Sequence, residues 1–188
     1  MTFRAKGYAL TCCSVTALAV AVVEDYGDVM PGSAIRNAPL PPGQIVGLAA
    51  VTILGRVVPV LLPGPRAAYR VVGAALGGAG VALTMWALRE RGRHAAGRFD
   101  LERPESLVTS GPYALSRHPM YVGWWLIHLG TGLYRGSAWV LLSVPTATLA
   151  EHPAVLAEER RLVEAFGSDA ENYLARVPRY LPWRVGSS

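Results

Sequence analysis

The sequence has 188 residues, of which 52% are hydrophobic and only 16% are charged, against a charged share of about 25% in soluble domains. Its 18 basic residues outnumber its 13 acidic ones, but they lie between apolar segments and form no polar face interleaved with aromatic side chains. This composition predicts an integral membrane protein that meets anionic lipid headgroups, and it excludes nucleic acid as the expected partner.

The first half of the chain predicts three membrane-spanning helices. Residues 8–23 form an apolar stretch that suits either a signal peptide or an anchor, and we expect an anchor. Residues 43–62 and 67–88 each match the roughly 20 residues needed to cross about 30 Å of hydrocarbon. Pro59 and the turn at 63–65 separate these two segments, so we expect a tight helical hairpin.

The second half predicts a polar loop, a short hairpin and a surface helix. Residues 89–120 are rich in arginine and are expected to lie outside the hydrocarbon. Residues 121–149 are apolar again but are interrupted at 134–137, which predicts two helices of about 22 Å each that fold back on one another. Pro153 suits the first turn of a helix, so 154–176 is predicted to be an amphipathic helix on the membrane surface.

These segments predict one all-α membrane domain over residues 1–188, with about five transmembrane helices and a C-terminal amphipathic helix. Three helices are expected in 1–88, and the loop, hairpin and tail in 89–188. An outside N-terminus would place most of the arginines in the cytoplasm, so the arginine-rich loop and the tail are predicted to face the cytoplasm. The sequence does not indicate the oligomeric state.

Residues 111–125, GPYALSRHPMYVGWW, place Arg117 and His118 directly in front of an apolar run. A charged and titratable cluster is costly to bury, so this junction is where a functional site is expected first. No metal site is expected, because Cys12 and Cys13 are adjacent and do not have the spacing of metal ligands.

Three blocks of the sequence together resemble the isoprenylcysteine carboxyl methyltransferase family and its bacterial relatives. They are LVTSGPY at 107–113, RHPMYVGW at 117–124 and EERRLVEAFGSDAENYLARVPRYLP at 158–182. The likeness covers about the second half of the chain. It implies a membrane enzyme that uses S-adenosyl-L-methionine, with its site on the cytoplasmic side and its location in the inner membrane of a bacterium.

The resemblance also implies roles for individual residues. Cofactor binding falls to Tyr113, His118, Pro119, Tyr121, Glu158, Glu159 and Tyr173. Catalytic roles fall to Glu158, Glu159 and Arg179, and the sequence does not say which glutamate is functional. Each of these residues also has a structural interpretation: packing at headgroup level for the tyrosines, a solvated helix face for the glutamates, and membrane anchoring for the arginine.

The expected acceptor is a lipophilic molecule dissolved in the membrane, such as an isoprenylcysteine-like carboxylate. Residues 92–99 are only loosely like the matching segment of eukaryotic family members, so an amine, phenol or thiol remains open. One alternative is an NADPH-dependent membrane steroid or sterol reductase, which carries a similar Arg-His-Pro-x-Tyr segment. Met120 and Trp124 replace the Asn and the acidic residue typical of those reductases and favour the methyltransferase. A non-enzymatic membrane scaffold is the other alternative.

Overall fold

The computed structural model describes residues 41–94 and 106–181, so the predicted anchor at 8–23 lies outside the described residues. Over these residues the chain is helical and contains no β-strand beyond one isolated bridge. The elements in chain order are α1 (Pro42–Val57), α2 (Arg66–His94), a short 3-10 helix (Gly111–Ala114), α3 (Pro119–Tyr134), α4 (Val140–Phe166) and α5 (Ser168–Arg176).

Both helices of the predicted first hairpin are present, with shifted ends, but the prediction of a tight hairpin was wrong. Helix α1 packs mainly against α4 and helix α2 against α3, because glycines on α1 and α2 allow close contact with those helices and not with each other. Helix α1 stops at Val57 because Val58 precedes Pro59, and the residue before a proline is disfavoured in the helical region. Helix α2 continues to His94, beyond the predicted end at Leu88. Its last turn is basic, and positive charge is favourable at the negative end of the helix dipole.

Helices α2 and α3 pack backbone to backbone through glycines. A side-chain carbon on Gly73 would lie 2.6 Å from the carbonyl oxygen of Gly130, and one on Gly80 would lie 2.5 Å from that of Gly123. The two glycines on each helix are seven residues apart and therefore share a face. Small residues at such contacts allow the close approach that is common between membrane helices. This contact fixes the first half of α3 beside the middle of α2.

The predicted turn between the two arms of the second hairpin is confirmed at 135–139. It pairs with the loop between α1 and α2: Leu62 N donates to Gly136 O at 2.9 Å, and Ala138 N donates to Val60 O at 2.8 Å. These bonds tie the two loops together at one end of the helix bundle. The end of α2, the 3-10 helix and the tail after α5 therefore lie at the other end.

The prediction of a short second arm followed by a separate surface helix from 154 was wrong. Helix α4 runs unbroken through Pro145 and Pro153 to Phe166, and the chain bends only at Gly167, whose φ is +52°. A proline inside a helix costs about 3 kcal/mol, so tertiary contacts must offset it. Val155 is fully buried against the bundle, and Glu151 is bound by Gln44 of α1, so both sides of Pro153 are held in place.

A chain of buried polar side chains joins α1, α3 and α4. Gln44 donates its backbone N–H and its amide to the two carboxylate oxygens of Glu151, at 2.8 and 2.9 Å. The amide oxygen of Gln44 lies 2.8 Å from His128 Nδ1, and His128 Nε2 lies 2.9 Å from the Ser143 hydroxyl. Because every member has a partner, the network stabilises one arrangement of the three helices.

Helices α2 and α4, of 29 and 27 residues, are long and apolar enough to cross a membrane. Large apolar side chains such as Val71, Leu142 and Leu149 are exposed on them, as expected for surfaces that face lipid. These two helices agree with the predicted integral membrane protein. The total of about five spans remains a prediction.

Candidate active site

The candidate site lies where the start of α3, the second half of α4 and the tail after α5 meet. The tail runs beside the Arg-His-Pro segment: Arg117 N donates to Pro178 O at 2.9 Å, and His118 N donates to Arg179 O at 3.2 Å. The sequence blocks at 117–124 and 158–182 are thus joined by backbone hydrogen bonds between residues about 60 positions apart.

Glu159 is the centre of this cluster. Its Oε1 accepts hydrogen bonds from Arg117 Nη1 and Arg179 Nε, both at 2.9 Å, and its Oε2 accepts from Arg179 Nη2 at 2.8 Å. His118 Nε2 lies a further 3.3 Å from Oε1. The carboxylate is 9% exposed, so its hydrogen-bonding capacity is taken up inside the protein.

Glu158 is more exposed than Glu159 and is bound less closely by its neighbours. Its side chain is 34% exposed, and its contacts with charged groups are long: 3.5 Å to His118 Nδ1 and 3.9 Å to Arg91 Nη1. The carboxylate therefore keeps free capacity to accept hydrogen bonds. The structure separates the two glutamates that the sequence could not distinguish.

His118 lies between these two carboxylates, before the first turn of α3, and is 3% exposed. Burial alone would lower the pKa of His118, but hydrogen bonds and negative charge from Glu158 and Glu159 outweigh burial and raise it above its ordinary value. A protonated ring has a donor for each carboxylate. The ring is therefore placed to orient Glu158 relative to the fixed Glu159.

The Gly-Pro-Tyr block forms the 3-10 helix and is anchored on two sides. Ser110 donates its hydroxyl to Glu90 Oε1 of α2, and Tyr173 of α5 donates to the carbonyl oxygen of Tyr113 at 2.8 Å. The Tyr113 hydroxyl itself is buried and has no hydrogen-bond partner among the described residues. Burial raises the pKa of Tyr113 to about 12, so the phenol stays protonated and keeps a donor to offer.

Aromatic rings line one side of the cluster. The His118 and Tyr121 rings meet edge to face with centroids 5.7 Å apart, and the Trp125 and Tyr180 rings are 4.6 Å apart. The Tyr180 hydroxyl is held at 2.8 Å by His152 Nδ1. Pro119, fully buried at the first position of α3, fixes the backbone that carries His118 and Tyr121.

Arg117 holds the tail in place. Its Nε donates to Val177 O and its Nη2 to Leu174 O, both at 2.6 Å, which satisfies carbonyl groups at the end of α5. Arg117 also donates to Glu159 of α4, so its side chain connects the segment before α3 with α4 and the tail.

Residues 68–169, just over half of the chain, match the family model described as phospholipid methyltransferase. The chain belongs to this family. The resemblance to the isoprenylcysteine carboxyl methyltransferases is confirmed with it, and the reductase alternative is not favoured.

Several curated relatives of this family member match shorter stretches. Human protein-S-isoprenylcysteine O-methyltransferase is 36% identical over 91 residues, covering 43% of this chain and 29% of its own. Methanethiol S-methyltransferase of Crocosphaera subtropica is 35% identical over 80 residues, covering 43% and 31%. A cobalt-zinc-cadmium resistance protein of Cupriavidus metallidurans is 44% identical over 78 residues, covering 41% and 36%. The matches span only about a third of the length of these relatives.

The fold of this family member is similar to that of a solved membrane enzyme. The structure of the eukaryotic intramembrane Ras methyltransferase ICMT, isoprenylcysteine carboxyl methyltransferase, aligns with a TM-score of 0.55 at 22% identity. The alignment covers 93% of this chain and 66% of that one. It extends the likeness over most of the chain, including helices that carry no motif.

The structure adds residues to the site that sequence reasoning missed. Glu90 anchors the Gly-Pro-Tyr block, Arg91 approaches Glu158, and Tyr180 and Trp125 build the aromatic side. Tyr180 and Trp125 had a signal in the sequence, since Tyr180 directly follows Arg179 in the tail block and Trp125 ends the stretch 111–125. Glu90 and Arg91 were assigned to a loop, although they lie in the last two turns of α2.

Proposed function

We propose that this protein transfers a methyl group from S-adenosyl-L-methionine to a lipophilic acceptor dissolved in the membrane. The observation that carries the proposal is the contrast between Glu158 and Glu159. The Glu158 carboxylate can still accept hydrogen bonds and lies beside His118 and Arg91. The Glu159 carboxylate is already bound by Arg179 and holds the tail in place. Membership of the phospholipid methyltransferase family supports the same reaction.

The residues present fit this cofactor. Its amino acid end carries an ammonium, for which Glu158 is an available partner, and a carboxylate, for which Arg91 is one. The unpartnered hydroxyl of Tyr113 is a buried donor for a polar oxygen of the cofactor. The rings of Tyr121 and Tyr180 offer flat apolar surfaces beside these polar groups, as an adenine ring requires.

When bound, S-adenosyl-L-methionine supplies a methyl group attached to a sulfonium. Methyl transfer is an in-line displacement, so the protein contributes mainly alignment and exclusion of water. We propose that Glu158, Tyr113 and Tyr121 contact the cofactor and that His118 fixes the Glu158 carboxylate. Glu159, Arg179 and Tyr173 are then positioning residues, because their polar groups are already bound to protein.

The acceptor should approach from the lipid, next to the aromatic side of the cluster. An isoprenylcysteine-like carboxylate is the acceptor that the likeness favours, with other lipophilic nucleophiles kept open. We place the protein in a bacterial inner membrane as one domain, with the cluster facing the cytoplasm, because most of the arginines in the part of the chain that the structure describes lie at that end.

Ligand-induced thermal shifts of the full-length protein in detergent test this proposal. S-adenosylhomocysteine should raise the melting temperature in a saturable way, whereas NADPH should leave it unchanged. Stabilisation by NADPH alone would support the reductase, and stabilisation by neither would support a scaffold. Tritium transfer from labelled S-adenosyl-L-methionine into lipid extracts, with and without the protein, would then identify the acceptor class.

A further inference from the structure

A pocket of about 310 Å³ lies at the other end of the bundle, about the length of α3, or roughly 24 Å, from the methyl-transfer cluster. Its walls come from the loop between α1 and α2, the first turns of α2 and the turn after α3. Three arginines line it: Arg66, Arg70 and Arg135.

These three guanidiniums have no counter-charge in the part of the chain that the structure describes. Every carboxylate there lies either at Glu90, near the end of α2, or from Glu151 onward on α4 and α5. No ion pair within 41–94 and 106–181 involves a pocket arginine. The N-terminus of α2, which begins at Arg66, adds the positive end of a helix dipole.

The wall of the pocket also contains an unsatisfied polar group. Ser137 is 3% exposed, and its hydroxyl is buried without a hydrogen-bond partner among the described residues. Gly55 faces it, and a side-chain carbon at that position would come within 3.2 Å of the hydroxyl. A buried hydroxyl without a partner is costly, so a bound oxygen at this point would be stabilising.

We propose that this pocket binds a phosphate group. Planar guanidiniums match phosphate oxygens in pairs, and a helix N-terminus and a hydroxyl donor complete the same chemistry. A phosphate can come from the headgroup of an anionic phospholipid or from a soluble phosphate. Exposed Val57, Leu61 and Tyr134 at this end would suit an acyl chain beside the headgroup. The proposal does not depend on the methyl-transfer reaction.

The competing explanation is that these arginines only reach into the headgroup layer as isolated charges. Arg56 provides a matched control, because it is exposed in the last turn of α1 but does not line the pocket. The variants are therefore Arg66→Gln, Arg135→Gln and Ser137→Ala, with Arg56→Gln as the control. The two pocket arginine variants and the control variant each remove one positive charge at the same end of the molecule, so they differ only in whether the arginine lines the pocket.

Delipidated full-length protein is titrated separately with three probes: phosphatidylglycerol in mixed micelles, phosphatidylcholine micelles and inorganic phosphate. Each titration records the melting temperature of the protein and the heat of binding. Phosphatidylglycerol should bind saturably and phosphatidylcholine should not. Arg66→Gln and Arg135→Gln should raise the midpoint concentration of the phosphatidylglycerol titration about ten- to hundredfold, and Ser137→Ala should raise it less. The control variant Arg56→Gln should leave this midpoint within about twofold of wild type.

Saturable binding of inorganic phosphate that displaces phosphatidylglycerol would support the pocket with a soluble phosphate as its ligand. Binding of phosphatidylglycerol alone would support a lipid headgroup. An equal loss of affinity in Arg56→Gln and Arg66→Gln would overturn the proposal, because generic surface charge would then explain the binding. Absence of saturable binding by both phosphatidylglycerol and inorganic phosphate would overturn it as well.

Discussion

Arg179 and Glu159 form a two-point ion pair, with Nε to Oε1 at 2.9 Å and Nη2 to Oε2 at 2.8 Å. The pair joins the tail to α4, and Arg117 extends it to the segment before α3. Paired hydrogen bonds of this kind fix both distance and orientation. The tail therefore holds the wall of the site in place.

Glu159→Gln should destabilise the protein, because Arg117 and Arg179 would lose their carboxylate while remaining partly buried. Loss of a charged hydrogen bond costs about 1.5 to 3 kcal/mol, and the lower end applies because Arg179 is 36% exposed. Melting curves of Glu159→Gln, Arg179→Gln and the double variant measure the coupling. Additive effects in the double variant would show that the pair contributes no coupling energy.

Glu158→Gln should weaken S-adenosylhomocysteine binding about ten- to hundredfold and lower the melting temperature of the free protein less than Glu159→Gln does. The reason is that Glu158 makes only long contacts with protein charges. Isothermal titration of each variant gives the affinity. Glu164→Gln is the matched control, since Glu164 is an exposed carboxylate on the same helix. Wild-type affinity in Glu158→Gln would remove this carboxylate from the cofactor site.

The stabilising effect of His118 should depend on pH. Its pKa in the folded protein is raised, because Glu158 and Glu159 outweigh burial, so the folded state holds the proton more tightly than the unfolded chain. The stabilisation is complete below the ordinary pKa of 6.5 and is lost as the pH rises through the folded-state pKa. The difference in melting temperature between wild type and His118→Asn should therefore shrink from about pH 6 to about pH 9. A constant difference would contradict a protonated His118.

His118→Ala and His118→Asn also separate the two roles of this residue. If His118 positions Glu158, both variants should weaken S-adenosylhomocysteine binding, and His118→Asn should lose less because it keeps a donor. Affinity equal to wild type in the folded fraction of both variants would leave His118 with a packing role only. Calorimetric titration beside the melting curves distinguishes these results.

Gly73→Ala should destabilise the pair of α2 and α3, because the new methyl group would meet the backbone of Gly130 and Tyr134. Overpacking against backbone typically costs about 1 to 3 kcal/mol. Gly78→Ala is the control on the same helix: no atom lies within 4 Å of its added carbon, so it should be neutral or stabilising by about 0.5 to 1 kcal/mol. Similar melting temperatures for the two variants would contradict the glycine contact.

The orientation in the membrane can be tested by cysteine labelling in a background that lacks Cys12 and Cys13. Ser168→Cys lies at the exposed start of α5, on the side of the cluster, and Pro65→Cys lies in the exposed loop at the other end. In intact cells an impermeant thiol reagent should label position 65 and not position 168. The reverse pattern would place the cluster outside the cytoplasm.

The sequence by itself determined the class of the protein and the blocks that form its candidate site. Apolar segments of about 20 residues, broken by Pro59 and by the turn at 134–137, were enough to predict α1, α2, α3 and the turn that follows α3. The order of the Arg-His-Pro block and the Glu-Glu tail was enough to recognise the family. These features are local, so neighbouring residues in the chain reveal them.

Tertiary structure decided what local patterns could not. Glu158 and Glu159 are adjacent and chemically identical, but only one of them faces two arginines that come from distant segments. Pro153 looked like a helix start, yet α4 runs through it because contacts from α1 hold the preceding turn. The phosphate pocket likewise draws its arginines from two separate elements. Burial and ion pairing depend on neighbours that are remote in the sequence, and the fold alone brings those neighbours together.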